Sequence, residues 1–420
     1  MPHPRALVLI VLLFIASAPF ANAQEKRLVS GSVTDGATGE PIPFATVSLR
    51  KQLIGIVTNE EGKFDFYIPA ESGSDTLMIG FFGYKPRLMA LSDISGFLSI
   101  KLDQNAMELQ EVVVRPLQPQ EYIRLAMRRV KINYASEPFG TEAYYREKVI
   151  ENKNLIKCDE GVFRTYYPKY QDTLKNQHQL LLFRRAENTS AVQFMKEERE
   201  KKAEKEKKTG KKEKDNVEID LVGSFGGPEN SLKSASLTNK DTENCLDTLH
   251  LKKYNYAFAK STTYNNKEVM VIEFDTKGKV EHVREAGRIY IDLATFAIVK
   301  LESKGDFVIP VVLKPILFLY GLGISDPKYE KSLEFQQVKN KWYPKNIQYN
   351  IEVRLSNKHW FRADERSNFE IESVFTVNKT KIEQAAAIPA AKRFNASKDM
   401  KDQVHNDEGL TWEGINIIKK

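Results

Sequence analysis

Six histidines and two cysteines carry most of the metal and nucleophile chemistry open to this 420-residue chain. His282-Val283-Arg284-Glu285 spaces a histidine and a carboxylate as zinc ligands are spaced, and His405 lies downstream as a candidate third ligand. Cys158 and His178 supply a thiol and a base, but a cysteine nucleophile also needs a group that orients the base, and none is evident. His250 and His359 stand singly, and His3 falls in the N-terminal segment. Carboxylates are so numerous that pairing any two as a glycosidase dyad is arbitrary. No G-x-S-x-G elbow, phosphate loop or dinucleotide fingerprint occurs. The expectation is no catalytic residue, no metal ligand, no cofactor and no enzymatic activity, with a zinc hydrolase as the disfavoured alternative. In an oxidising compartment Cys158 and Cys245 could pair as a disulfide, and two free buried thiols are the other reading.

The elements that would position these residues read as mainly β. Residues 1–23 have the form of a signal peptide: Arg5 precedes an apolar core, Ala6 to Ala16, and Ala21-Asn22-Ala23 is a small-x-small cleavage site. The mature chain is expected to begin at Gln24, without a lipoprotein cysteine. That places the protein outside the cytoplasm, in the periplasm or on the periplasmic face of an outer membrane. The formal net charge is +7, but a low-complexity run supplies much of it, so nucleic acid is not an expected partner.

Residues 28–115 read as a small β-sandwich. Short apolar runs are separated by turn chemistry at Asp35-Gly36, Thr38-Gly39 and Asn59 to Gly62. Gly31, Gly39 and Gly62 suit positions of positive φ or close backbone approach, and Asp35 and Asn59 suit side-chain-capped turns. The run from Gly31 through Thr38-Gly39-Glu40-Pro41-Ile42-Pro43-Phe44, then Asn59 to Phe64, then Phe81-Phe82-Gly83-Tyr84, resembles the carboxypeptidase-like regulatory domain of Bacteroidetes envelope proteins. Leu109, Glu111, Val112, Val113 and Val114 resemble the close of the same domain. The resemblance implies a prealbumin-like fold and no peptidase activity. The α/β context of a metallocarboxypeptidase is missing around His282 and Glu285.

Residues 116–140 form a linker and an amphipathic helix, with Ile123, Ala126, Met127 and Val130 on one face. Residues 141–380 read as a large antiparallel sheet domain, with a half-barrel as one form. Its hairpins are expected at Asn152 to Asn154, at Asn265-Asn266, between Asp292 and Ala297, and near Asn340. Leu249 to Thr263 reads as one strand, and Ile351 to Arg362 reads as a strand of its own. Tyr145-Arg146-Glu147, Glu160, Gly287 to Asp292 and Trp412 to Ile418 resemble Bacteroidetes proteins built on the same N-terminal domain, whose role is undefined. The paired long strands resemble, more loosely, the half-barrel of LolA-type lipoprotein carriers. Residues 381–420 form a C-terminal tail.

Two segments interrupt this pattern. The insertion 193–216 is dominated by charges of both signs and should be a solvated loop or frayed helix. Phe307 to Ile324 is strongly apolar but broken by Pro310, Pro315, Gly321 and Gly323. It is expected to plug the sheet or to close an apolar cavity, with Val311, Leu313, Ile316, Leu317 and Phe318 as lid or lining. The function expected is binding: docking a cell-envelope protein, or holding a lipid or other apolar ligand in the second domain. A structural or adhesion module of the outer membrane is the alternative.

Overall fold

The computed structural model describes residues 26–105, 117–171, 175–209, 231, 236–238, 244–277, 283–307, 322–357, 364–383 and 385–419. Its N-terminal unit has the strands β1 (Lys26–Asp35), β2 (Thr46–Leu49), β3 (Gly55–Val57), β4 (Lys63–Pro69), β5 (Thr76–Gly80), β6 (Arg87–Ala90) and β7 (Leu98–Leu102). They form two sheets, ordered β4-β1-β7 and β3-β2-β5-β6. Alternation in β1 and β4 sends Val29, Val33, Phe64, Phe66 and Ile68 inward, where they meet Val47, Leu77 and Ile79 in one core. The turns follow from their side chains. Asp35 Oδ1 accepts the Ala37 and Thr38 N–H groups at 2.7 and 3.0 Å. Asn59 Oδ1 accepts those of Glu61 and Lys63 at 3.1 and 2.7 Å. Gly62 has φ +71°, and a Cβ there would lie 2.4 Å from the Val33 carbonyl oxygen, so no other residue fits.

Helix α1 (Pro119–Asn133) opens with proline in its first turn, where the missing N–H is no loss. Its buried stripe, Tyr122, Ile123, Ala126 and Val130, packs on one face of the second unit. That unit comprises β8 (Phe139–Glu151), β9 (Asn154–Tyr167), β10 (Gln177–Glu187), β11 (Tyr254–Phe258), β12 (Thr262–Tyr264), β13 (Lys267–Thr276), β14 (Val283–Asp292), β15 (Ile298–Phe307), β16 (Leu322–Val338), β17 (Lys341–Asn357) and β18 (Glu365–Lys381). They make one 11-stranded sheet, ordered β10-β9-β8-β18-β17-β16-β15-β14-β13-β11, with β12 also on β13. Every pairing in it is antiparallel, and it does not close into a barrel. Asn152-Lys153 and Asn265-Asn266 both take positive φ at two successive residues, the geometry that tight hairpins demand.

Three details differ from the sequence expectations. β17 is a single strand of 17 residues, because Ile351 to Asn357 continues the pairing begun at Lys341. Leu251–Lys253 is a short 3-10 turn ahead of β11 and not part of that strand. β10 has no counterpart among those expectations. The charged insertion contains helix α2 (Lys196–Thr209), which lacks an apolar face and carries i,i+4 pairs such as Lys201 with Glu197.

The registers define two faces of the large sheet. Ile272, Ile289, Leu301, Leu333, Ile347, Phe375 and Tyr145 lie side by side across seven strands and form the core row beneath α1. One residue along, the opposite face carries Glu273, Arg288, Glu302, Ser332, Gln348, Val374, Arg146 and Glu160, again side by side. The sandwich docks over one end of this second face. Ile54 bridges to Lys379, and the Thr380 N–H donates to the Leu53 carbonyl at 3.0 Å. Phe82 stacks on Tyr264 with centroids 4.2 Å apart, and the Gly83 N–H reaches the Thr263 carbonyl at 2.8 Å.

The C-terminal tail straps the units together. It runs beside β10, where Phe394 and His405 donate their N–H groups to the His178 and Leu180 carbonyls. It then crosses to the sandwich. Asn416 brackets Tyr67 on the edge of β4, accepting its N–H at 2.8 Å and donating to its carbonyl at 3.0 Å. Ile418 is buried with Val57, Tyr144 and Val374 at the junction.

Candidate functional site

A groove of about 920 Å³ runs along the polar face of the sheet, where that face meets the sandwich. Phe44 and Glu60 of the sandwich form one wall. Eight strands, β8, β11 and β13 to β18, contribute the rest. The side chains that alternation turns toward it include Glu273, Arg288, Glu302, Lys304, Glu330, Ser332, Gln348, Asn350, Glu372 and Arg146.

Several of the charged groups in and around the groove are matched. Glu273 lies 2.9 Å from Arg288, and Lys148 lies 2.9 Å from Glu372 and 3.7 Å from Glu60. Glu160 is held by Arg184 at 2.7 and 3.0 Å and by the Tyr144 hydroxyl, and Arg184 lies 4.3 Å above the Trp412 ring of the tail. Deeper, under the sandwich, Lys300 reaches Glu302 at 2.8 Å and Glu334 at 3.0 Å and sits 4.9 Å from the Phe82 ring centroid. Burial opposes the Lys300 charge, but the two carboxylates outweigh it and raise its pKa above the ordinary lysine value. Burial likewise opposes ionisation of Glu302, and Lys300 and the Tyr290 hydroxyl outweigh it, holding that carboxyl below its usual range. Lys345 is the contrasting case. It is 1% exposed, donates to the Val377 carbonyl at 2.8 Å, and burial pulls its pKa down to about 8, with Glu334 offsetting part of that.

Arg146 stands apart. It is 8% exposed, it lines the groove, and its guanidinium makes no ion pair or hydrogen bond among the described residues. Its cross-strand neighbours are Val374 and Glu160, and Glu160 is already held by Arg184 and Tyr144.

The residues singled out from the sequence are scattered. Cys158 and Cys245 are both free thiols, so the disulfide is not formed. Cys158 shares the groove face with Lys148 on β9, whereas Cys245 packs in the core beneath α1, on the other face. Burial, followed by the charge of Glu285, pushes the Cys245 thiol well above its ordinary pKa. His178 belongs to the core face, with Nδ1 2.9 Å from Thr165 Oγ1, so it does not meet Cys158. His282 lies outside the described residues. Its motif partner Glu285 is buried and accepts the Tyr254 hydroxyl at 2.9 Å, the Tyr329 hydroxyl at 2.8 Å and the Cys245 N–H at 3.2 Å. His405 lies at the β10 edge, at the far side of the sheet from β14. His250 pairs locally with Asp247 at 2.7 Å. Among the described residues no group of three His, Cys, Asp or Glu could hold a metal ion.

The apolar candidates Val311, Leu313, Ile316, Leu317 and Phe318 all lie outside the described residues. Their flanks, Phe307 and Leu322, pair with Val283 and Asn357, at the strand ends away from the sandwich. The groove that is described is lined by other residues, with charged and amide side chains among them. In the sequence Arg146 stands out only within Tyr145-Arg146-Glu147. Alternation along β8 puts it on the face opposite Tyr145, but its lack of a partner depends on pairings far apart in sequence.

Comparison with known proteins agrees at the N-terminus. Residues 29–114 match the model of the CarboxypepD_reg-like domain. No curated protein matches the chain. Among solved structures, a lipovitellin described for its lipid–protein interactions aligns at 6% identity and TM-score 0.25 over 61% of this chain. The chain spans 27% of the lipovitellin chain's length. A protein of unknown function from Bacteroides fragilis NCTC 9343 aligns at 11% identity and TM-score 0.16, over 85% of this chain and 98% of that one.

Proposed function

We propose that this is an exported, non-enzymatic binding protein of a Bacteroidetes-type cell envelope, free in the periplasm or held at the outer membrane's periplasmic face. Its groove docks a segment of an envelope partner protein. The observation that carries this reading is the composite lining. Phe44 and Glu60 of the CarboxypepD_reg-like domain share one groove with eight strands of the second unit, so neither unit alone has the site. Charged and amide side chains along the lining suit a polar segment better than a lipid. The compartment rests on the signal-peptide pattern of residues 1–23.

The test is site-specific photo-crosslinking in the native host, with the probe at Gln348 or Glu60 in the groove and at Asp93 as a remote control. One protein adduct is expected from both groove positions and none from Asp93, and Gln348→Trp should remove the adduct at Glu60. Equal yields at all three positions, or an adduct that survives Gln348→Trp, would sink the reading. Mass measurement of the mature chain checks export: the N-terminus should be Gln24.

A further inference from the structure

We infer that Arg146 is the anchor of an anion subsite in the groove, and that the anion it takes is the carboxylate of a peptide segment whose other groups are cationic or neutral. The inference rests on the groove being a ligand site and adds which chemistry it reads.

A cation removed from water is destabilising unless it is paired or hydrogen-bonded. Its neighbours obey that rule: Arg184 is matched by Glu160, Lys300 by Glu302 and Glu334, and Lys148 by Glu372. Arg146 is 8% exposed and has no such partner among the described residues, and what stays accessible of it opens onto the groove it lines. Arg146 lines the groove together with its cross-strand neighbour Val374 and the sandwich residue Phe44, so a ligand lying in the groove reaches it without moving the fold. An arginine fork of five N–H donors is built for a two-oxygen anion.

The rest of the lining decides which anion. Six carboxylates of the lining, Glu60, Glu273, Asp275, Glu302, Glu330 and Glu372, outnumber its other cations, Arg288, Lys304 and Lys331, a balance that disfavours a multiply charged group such as phosphate. A single carboxylate set among lysines or neutral residues meets Arg146 while its other charges face those carboxylates. A peptide end or acidic side chain in a basic stretch fits this pattern.

The experiment is calorimetric titration of the full mature chain with acetylated Ala-Lys-Ala-Lys-Ala bearing a free C-terminal carboxylate, with the same peptide as its amide, and with inorganic phosphate. The acid should bind at least tenfold more tightly than the amide. Arg146→Met should bring the acid down to the amide's affinity and leave the amide unchanged, and Arg146→Lys should restore part of the difference. If Arg146→Met does not fold, Arg146→Lys alone decides, since it keeps the charge and loses the fork. Phosphate binding tighter than the acid overturns the carboxylate assignment. Equal binding of acid and amide, both lost in Gln348→Trp, overturns the Arg146 subsite and leaves the groove standing. Absence of binding by both peptides, or binding that Gln348→Trp leaves intact, overturns the groove and the subsite together.

Discussion

Two buried cations, Arg146 and Lys345, show how single residues in this fold trade stability for something else. If Arg146 is held ready for a ligand, removing its charge should help the empty protein. Arg146→Met keeps most of the apolar stem and drops the unpaired guanidinium, so it should stabilise by about 1–2 kcal/mol in denaturant titration. A loss of stability would instead mark Arg146 as a structural residue. Lys345 gives a pH signature. Its folded pKa of about 8 lies below the ordinary 10.5, so the folded state binds fewer protons than the unfolded state between those values. Below pH 8 both states are protonated and the full penalty is present. As pH rises from 8 toward 10.5 the penalty is relieved, and stability should rise by up to ~1.4 kcal/mol per pH unit. Burial also holds the Cys245 thiol up, and the Tyr84, Tyr290 and Tyr349 phenols up at about 12, so their opposing loss of stability begins above the ordinary values of 9 and 10 and the rise stands clear between pH 8 and 9. Chemical denaturation of Lys345→Met across pH 7 to 9 should show a flatter profile than the parent chain.

At the scale of elements, the β5–β6 corner joins the β3–β18 contact in holding the two units together. A Cβ at Gly80 would stand 2.7 Å from Asn265 Oδ1, and Gly83 takes φ +81° where its N–H reaches Thr263. Phe82, between them, lies flat on Tyr264 and under Lys300. Phe82→Ala should cost about 2–4 kcal/mol and split one calorimetric transition into two, because the sandwich keeps its own core. A single transition shifted as a whole would mean the units stay coupled without this corner. Much at this scale is legible in the sequence. The alternation of Val29, Val33, Phe64 and Phe66 spells the sandwich, and Asn152-Lys153 and Asn265-Asn266 spell their hairpins, because turn chemistry is local. The Phe-Phe-Gly-Tyr run is also readable, but only as part of a sandwich. That it faces a second unit depends on strands nearly two hundred residues away. The groove and the isolation of Arg146 are hidden for the same reason. Alternation tells which residues share a face, and not which strand will lie next door.

For the whole molecule, the tail adds a further tie between the two β units. Asn416 completes the β4 edge as a strand would, Lys419 meets Asp65 at 2.8 Å, and Ile418 fills the junction. Asn416→Ala should cost about 1–2 kcal/mol and speed hydrogen exchange at the Tyr67 amide ahead of the rest of β4. Uniform exchange along β4 would show that the bracket is incidental. The chemistry of Trp412 to Ile418 was visible as a pattern, but an asparagine that serves as a strand edge looks like any other asparagine until its partner is in place.

The sheet order carries a consequence for how this chain is made. β18 lies between β8 and β17, pairing Glu151 with Phe369 roughly two hundred residues later. A ribosome or translocation channel delivers the chain N-terminus first, so the β8-β9-β10 hairpins emerge long before their neighbour. Until β18 arrives, the free edge of β8 can pair with whatever strand is nearest, including that of another copy. Assembly is therefore slow and closes late, with the last tenth or so of the chain sealing both the sheet and the sandwich. The sequence that makes the groove thus leaves the nascent chain with an open β8 edge until its final strand is through.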